Sequence, residues 1–221
     1  MKKVVAVIVA AGEGRRFGGA KQYALLRGKP VLEWTLEKFE SHKKVDEIIL
    51  VLPDVRRKPR FLARHRKITA VVKGGEHRQD SVLNGVNCID PQSAGIVLVH
   101  DGVRPLVSEE LISRVIEATS TKASVVPGVP IEDTVKRVEG AEVVRTLERA
   151  RLFRIQTPQG FFYAELKAAL ERAAKDKYYA TDEAMLVERN GGRVLVVEGD
   201  PDNLKITTPR DLRMAEVLIE S

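Results

Sequence analysis

Six apolar runs separated by amphipathic stretches predict a doubly wound α/β fold, a mostly parallel sheet covered by helices on both faces. The runs fall at 3–10, 46–52, 69–73, 95–100, 123–129 and 193–198 and are continuous in Val, Ile and Leu. Strands buried on both faces read in that way. The informative polar clusters follow the ends of these runs, where such a fold binds its ligands. A length of 221 residues, 43% of them hydrophobic and 31% charged, suits one soluble domain over 1–221 with a sizeable core.

The first run empties into Ala11-Gly12-Glu13-Gly14-Arg15-Arg16-Phe17-Gly18-Gly19, and Lys21-Gln22-Tyr23 follows. A buried strand ending in a glycine turn brings backbone N–H groups close to a ligand. Arg15, Arg16 and Lys21 put more positive charge there than one phosphate requires, so the turn is read as a triphosphate site. Phe17 stands where a dinucleotide fingerprint needs its third glycine, and no Gly-Lys-Ser/Thr closes the turn as in a P-loop.

Between the strands, Leu32, Leu36 and Phe39 recur at helical spacing after Pro30, and Val82, Val86 and Ile89 do so after Asp80. Ser108 caps a helix whose first turn carries Glu109 and Glu110. A last helix opens at Thr208 with Pro209 at its first position and Asp211 at capping-box spacing. Thr181 reads as an N-cap of a helix ended by Gly191-Gly192. Residues 131–156 break the alternation: two short alternating segments around Gly140 read as a β-hairpin. An isolated hairpin must pack on something, either its own domain or, as a projecting arm, a second subunit.

The net charge of +6 favours acidic partners, nucleic acid or phosphorylated small molecules. The basic clusters Arg56-Arg57-Lys58 and Arg64-His65-Arg66-Lys67 have no interleaved aromatics for base stacking and are read as the solvated face of a surface helix. The single Cys88 excludes an intrachain disulfide and is read as a buried small hydrophobe. The short first run, with no cleavage site after it and no run of membrane-spanning length elsewhere, predicts a cytoplasmic protein.

Among the strand-end clusters, Gly74-Gly75-Glu76-His77-Arg78-Gln79-Asp80-Ser81 reads as a base or ribose contact, or as a glycine turn capped by Asp80 or Ser81. His100-Asp101-Gly102-Val103-Arg104-Pro105 puts a carboxylate at the tip of a central strand. Such a group is costly to desolvate unless it is paired or holds a cation. Asp101 is therefore read as a Mg²⁺ ligand, with phosphate oxygens and water completing the octahedron; a salt bridge to Arg104 is the alternative. The histidines, His42, His65, His77 and His100, show no metal-ligand spacing. Lys205 lies between Leu204 and Ile206 in a strand-like segment.

Together these residues resemble the 2-C-methyl-D-erythritol 4-phosphate cytidylyltransferases of the non-mevalonate isoprenoid pathway. The resemblance rests on Ala10-Ala11-Gly12-x-Gly14-x-Arg16, Lys21-Gln22-Tyr23, Gly74-Gly75-x-x-Arg78-x-Asp80-Ser81 and His100-Asp101-x-x-Arg104-Pro105. It continues through Asp133-Thr134-x-Lys136, Thr157-Pro158-Gln159, Thr181-Asp182-Glu183-Ala184 and Asn203-x-Lys205-x-Thr207. Departures are the short Gly18-Gly19-Ala20 loop without a proline, Glu76 in place of a common aspartate, and Gly102-Val103 in place of two alanines.

What the resemblance implies is a Rossmann-like nucleotidyltransferase fold and transfer of CMP from CTP to a sugar-alcohol phosphate, with Mg²⁺ or another divalent cation. Arg16 and Lys21 would neutralise the transition state, and Arg149 and Lys205 would position the acceptor. Ala10, Ala11, Gly12 and Gly14, with Gly75, Glu76 and Ser81, would hold the cytidine. Asp101 would meet the metal and the acceptor, and Arg104, Thr134, Thr157 and Thr181 would line the substrate pocket. A homodimer joined through the β-arm is implied, with no nucleic-acid or membrane partner. The rival readings are a ribitol-5-phosphate cytidylyltransferase, a hexose-1-phosphate nucleotidyltransferase and a basic nucleic-acid binder.

Overall fold

The computed structural model describes residues 2–56, 58–121 and 123–220. In chain order its first elements are β1 (Lys3–Val9), β2 (Leu25–Leu26), β3 (Lys29–Pro30), α1 (Val31–Ser41), β4 (Glu47–Leu52), β5 (Ile68–Lys73) and α2 (Arg78–Val86). Next come β6 (Ala94–Asp101), α3 (Glu109–Thr119), β7 (Ser124–Pro130), β8 (Lys136–Glu139), β9 (Glu142–Thr146), β10 (Phe153–Ile155) and β11 (Gln159–Phe162). The chain closes with α4 (Tyr163–Lys175), α5 (Glu183–Arg189), β12 (Val194–Glu198) and α6 (Pro209–Glu220). One-turn 3₁₀ segments stand at Lys21–Tyr23, Arg60–Arg64 and Arg149–Arg151.

Strand β1 is central, pairing in parallel with β4 and with β6, while β5 extends the sheet in parallel beyond β4. β12 pairs in parallel with β7. β11 runs antiparallel between β6 and β7, and β10 continues its line against the other half of β7. The sheet is therefore doubly wound and mostly parallel, with one antiparallel insertion.

The two-residue period of β1 sorts the core. Val5 and Val7 join Val82, Val86, Leu166 and Leu170 on the face covered by α2, α4 and α5. Ala6 and Ile8 join Leu32, Leu36, Phe39 and Leu111 on the face covered by α1 and α3. Burying each of these large side chains stabilises the fold by about 1.5–3 kcal/mol.

Each of the six expected strands is present within about a residue, and Ser108 caps α3 by accepting from the Leu111 N–H at 3.3 Å. Several expectations need correction. The cap of α5 is Asp182, whose side chain accepts from Met185 N–H at 3.0 Å; Thr181 is exposed one residue earlier. Ile89 lies past the end of α2. Cys88 is exposed, because α2 ends at Val86 and turns its thiol away from the core. Arg60–Arg64 forms a 3₁₀ turn and not a surface α-helix, His65 is buried, and Arg57 lies outside the described residues. Within 131–156 a hairpin of β8 and β9 forms its own two-stranded sheet with every residue exposed, whereas Phe153–Ile155 belongs to the main sheet.

Candidate active site

The register of β1 on β6 sets Val9 beside Asp101. The two strands end together, and the turns that follow them form the walls of a cleft with the turn after β5. Ala10, Ala11, Gly12, Lys21 and Gln22 line one side; Gly75, Glu76, His77, Arg78 and Ser81 line another; Asp101, Val103 and Lys205 close it. The enclosed space is about 180 Å³, less than the ~300 Å³ at which pockets enclose a whole small-molecule ligand.

Local bonding explains both glycine-turn walls. Gly14 has φ +70°, and a Cβ there would stand 1.8 Å from the carbonyl oxygen of Gly19. The loop folds on itself through Gly18 and Gly19 N–H groups that donate to Gly14 O, so only glycine fits. In the second wall a Cβ on Gly75 would stand 2.3 Å from Asp80 Cβ. Gly75 N–H donates to Ser81 Oγ at 3.1 Å, and His77 N–H donates to Asp80 Oδ2 at 2.9 Å. The cap reading is borne out at Asp80 and corrected at Ser81: His77 is the N-cap, Asp80 closes a capping box three residues on, and Ser81 lies inside the helix, while Gly75, Glu76 and Ser81 line the cleft.

Asp101 is 5% exposed and meets positive charge from three directions. Arg78 Nε donates to Oδ1 at 3.1 Å, and Lys205 Nζ stands 2.8 Å from Oδ2. Arg104 Nε approaches Oδ2 at 3.5 Å, so the anticipated Asp101–Arg104 pair exists as one of three. Burial works to raise the carboxyl pKa, but Arg78, Lys205 and Arg104 together outweigh it and hold Asp101 well below the usual carboxylate range. Arg78 is fixed in turn by Glu183, whose two oxygens lie 2.7 and 2.8 Å from Nη1.

Behind the carboxylate lies a buried neutral network. Asp101 N–H donates to Thr157 Oγ1 at 3.1 Å, and Thr157 Oγ1 lies 3.1 Å from His100 Nδ1. His100 Nε2 faces Arg104 O at 3.3 Å. The pattern fixes the tautomer: Nε2–H donates to the carbonyl and Nδ1 accepts from the threonine hydroxyl. Burial lowers the His100 pKa to about 3, so the ring is neutral and packs on Phe39.

Lys205 owes its position to Asn203. The Asn203 amide donates to Thr157 O at 2.8 Å, its backbone carbonyl accepts from Arg104 Nη1 at 2.7 Å, and Ile206 N–H donates to Val103 O at 2.9 Å. Lys21, half-buried in its 3₁₀ turn, has its pKa lowered by burial and then by Lys205 and Arg16, with Asp101 opposing them.

Of the residues expected to act, nine line the cleft: Ala10, Ala11, Gly12, Lys21, Gly75, Glu76, Ser81, Asp101 and Lys205. Gly14 shapes the loop, Arg16 stands within electrostatic reach of Lys21, and Arg104 braces Asp101. Thr157 does not face the cleft: it is buried, with its hydroxyl engaged by Asp101 N–H and His100. Thr134, Arg149 and Thr181 are exposed and outside the cleft lining, and Arg149 Nη1 bonds Glu132 O. Gln22, His77 and Arg78 line the cleft without a role legible in the sequence, and Glu183 is a further addition. Arg78 and Glu183 sit in recognisable motifs, but nothing in the chain signals a pairing across 105 residues.

A divalent cation fits this set in one way. Among the described residues no cluster of three or more acidic, histidine or cysteine side chains could hold a metal. One carboxylate, with three cations around it, leaves lone-pair room for a Mg²⁺ held mostly by phosphate oxygens and water.

A profile of the family described as 2-C-methyl-D-erythritol 4-phosphate cytidylyltransferase matches residues 4–221. A relative of that name from Syntrophus aciditrophicus is 44% identical over 99% of this chain and 96% of its own length. The structure also superposes on the crystal structure of 4-diphosphocytidyl-2C-methyl-D-erythritol synthase from Anaerococcus prevotii. That match has TM-score 0.88 and 32% identity and covers 100% of this chain and 99% of the other. The 2-C-methyl-D-erythritol 4-phosphate cytidylyltransferase from Thermus thermophilus matches with TM-score 0.83 and 35% identity over 97% and 98% of the two chains. A family match over residues 4–221 and full-length identity at this level place the chain in the 2-C-methyl-D-erythritol 4-phosphate cytidylyltransferase family.

Proposed function

We propose that the protein transfers CMP from CTP to 2-C-methyl-D-erythritol 4-phosphate, releasing pyrophosphate. Family membership supports the reaction, and one observation carries it to these residues. The cleft joins two glycine-turn walls to a single buried carboxylate ringed by Arg78, Arg104 and Lys205.

An acceptor phosphate oxygen attacks the α-phosphorus, the new P–O bond forms in line, and the α–β bridging oxygen leaves with pyrophosphate. The attacking oxygen is anionic at neutral pH, so no base is required, consistent with a neutral, buried His100. The work left to the chain is positioning and stabilisation of charge. Lys21 and Arg16 stand where charge grows on the transferring phosphoryl group. Backbone groups of Ala10–Gly14, with Gly75, Glu76 and Ser81, hold the cytidine. Asp101 would hold a divalent cation, which when bound neutralises phosphate charge.

Thr134 and Arg149 lie at the base of the hairpin and away from the cleft lining. Roles for them on the acceptor therefore need the hairpin of another copy, and the exposed Val138, Val143 and Val144 offer it an apolar surface. This supports a homodimer in which the hairpin serves the neighbouring cleft, working in the cytoplasm; among the described residues no helix is long and apolar enough to cross a membrane.

The test is Mg²⁺-dependent pyrophosphate release from CTP with methylerythritol phosphate or ribitol 5-phosphate as acceptor. Turnover with the first and not the second is expected. Preference for ribitol 5-phosphate would overturn the substrate while leaving the chemistry in place.

A further inference from the structure

We infer that Arg78 and Glu183 are positioning residues, a bracket anchored on the buried Glu183 that fixes the direction of the Asp101 carboxylate; this deepens the function proposed above and rests on it. The three cations on Asp101 are not equivalent. Lys205 reaches it on a long stem with its side chain 37% exposed, whereas the Arg78 and Arg104 side chains are 29% and 10% exposed. An incoming phosphate draws Lys205 most easily, because a lysine is a flexible point charge. Asp101 then keeps its orientation only if its other partners are themselves held.

Arg78 is held unusually well. Nε binds Asp101 while Nη1 takes both oxygens of Glu183, so one planar fork spans two carboxylates. Glu183 is 1% exposed at the first position of α5. Burial pushes its carboxyl pKa up and contact with Arg78 opposes the rise. The neighbouring residue adds a second clamp: Gln79 Nε2 donates to Tyr178 O at 2.9 Å, and Ala180 N–H donates to Gln79 Oε1 at 3.0 Å. The start of α2 is thus tied to the segment that leads into α5, which fixes the plane of the guanidinium.

Stability alone does not account for this bracket. A buried ion pair costs desolvation and is often replaced by apolar residues with no loss of stability. What an apolar pair would lack is a fixed donor aimed at Asp101 Oδ1. Arg78 also follows Glu76 and His77 of the nucleotide wall directly, so the same helix start sets one wall of the cleft and the carboxylate opposite.

The test uses the full-length protein and three variants: Arg78→Lys, Glu183→Gln, and the double variant Arg78→Met/Glu183→Gln. Arg78→Lys keeps the charge and loses the fork, and should lower kcat about 10–100-fold, as small misplacements of reacting groups do. KM for the acceptor should rise while KM for CTP stays within about twofold. Glu183→Gln should show the same split more weakly. The double variant removes both charges together, so it should keep a near-wild-type Tm and remain as slow as Arg78→Lys; it decides the matter if a single variant fails to fold. Recovery of wild-type kcat and both KM values in the double variant would overturn the inference. Crystal structures of the same variants give a readout independent of substrate. A turned Asp101 carboxylate supports the bracket, and an unchanged one overturns it. If the wild type turns over neither polyol phosphate, the substrate reading fails, and the carboxylate orientation still decides this one.

Discussion

Asp101 and Lys21 face one another across the same cleft, and the chain provides for them in opposite ways. Asp101 sits at the end of a central strand with two arginines, a lysine, a threonine hydroxyl and a buried histidine arranged about it. Lys21 follows a glycine loop closed by backbone bonds to Gly14 O and carrying the exposed Arg15. Burial lowers its pKa, the cations Lys205 and Arg16 lower it further, and the carboxylates of Asp101 and Asp211 only partly oppose them. On the proposed function, the Asp101 wall is completed by the protein and the Lys21 wall by the ligand. Lys21, Arg16 and Lys205 gathered beside the cleft would then stabilise a bound polyphosphate and the charge that grows on it.

The sharpest test of this contrast is Lys21→Ala. On the proposed role of Lys21, at the charge that develops in the transition state, kcat should fall about 10²–10³-fold, as for loss of one preorganised donor. KM for CTP should change little, and Tm should hold or rise as a like-charge contact is relieved. A pure KM effect in steady-state kinetics would remove Lys21 from the transition state.

On the Asp101 side, stability should respond first. His100 is buried and neutral, with its folded-state pKa lowered from 6.5 to about 3. A depressed pKa contributes stability that is present above the unfolded value. It is lost as pH falls from about 6.5 towards 3, since only the unfolded chain binds the proton in that window. The slope from this group is ~1.4 kcal/mol per pH unit, close to ~3 kcal/mol between pH 6 and 4. Urea midpoints measured across that range should fall less steeply in His100→Gln than in the wild type. Equal slopes would mean the ring is already charged or solvated.

Thr157→Val is the next step down. It keeps the shape while stranding Asp101 N–H and the His100 Nδ1 acceptor, a cost of about 1–3 kcal/mol. The expected signature is a lowered Tm with kcat reduced by less than about tenfold. The reverse, intact stability with kcat down a hundredfold, would restore Thr157 to direct substrate contact, the role its motif suggests.

What is legible in the sequence follows the same division. The six parallel strands can be read because burial on both faces leaves unbroken Val, Ile and Leu, and α3 because Ser108 and its acidic first turn are local signals. The glycine turns are legible because tight folding of the backbone at Gly14 and Gly75 leaves no room for a Cβ, and Lys21 because it adds a cation just beyond the first of them. β11 is not, because Gln159–Phe162 is short and runs antiparallel within a parallel sheet. α4 escapes notice although Leu166, Ala169, Leu170 and Ala173 keep helical spacing, since small alanines weaken the apolar stripe. Asp101 can be singled out as a carboxylate in need of a cation, but which cations is a question of tertiary structure. Arg78, Lys205 and Glu183 reach that point from α2, from the segment before α6 and from α5. Cys88 misleads for a related reason: one residue of helix end decides whether a side chain continues the apolar face.

The smallest effect should come from Asp211, in the first turn of α6. Its carboxylate accepts from Thr207 N–H at 2.9 Å and Thr208 N–H at 2.8 Å, capping α6 directly after the Asn203–Ile206 segment that carries Lys205. Burial would raise its pKa, but the backbone donors of Thr207 and Thr208 outweigh burial and lower it. Stability from this group is therefore present above about pH 3.9 and lost as pH falls through the folded value. Asp211→Asn keeps one acceptor and loses the charge, so at neutral pH it should cost about 1 kcal/mol, a typical cap. For a chain of this size that is a Tm decrease of roughly 2–4 °C. If Lys205 is held mainly by Asn203 and Ile206, as their bonds to Thr157, Arg104 and Val103 indicate, both KM values should stay at wild type. A rise in acceptor KM alone would show instead that the α6 cap sets the lysine, and that the Asp101 wall extends as far as the C-terminal helix.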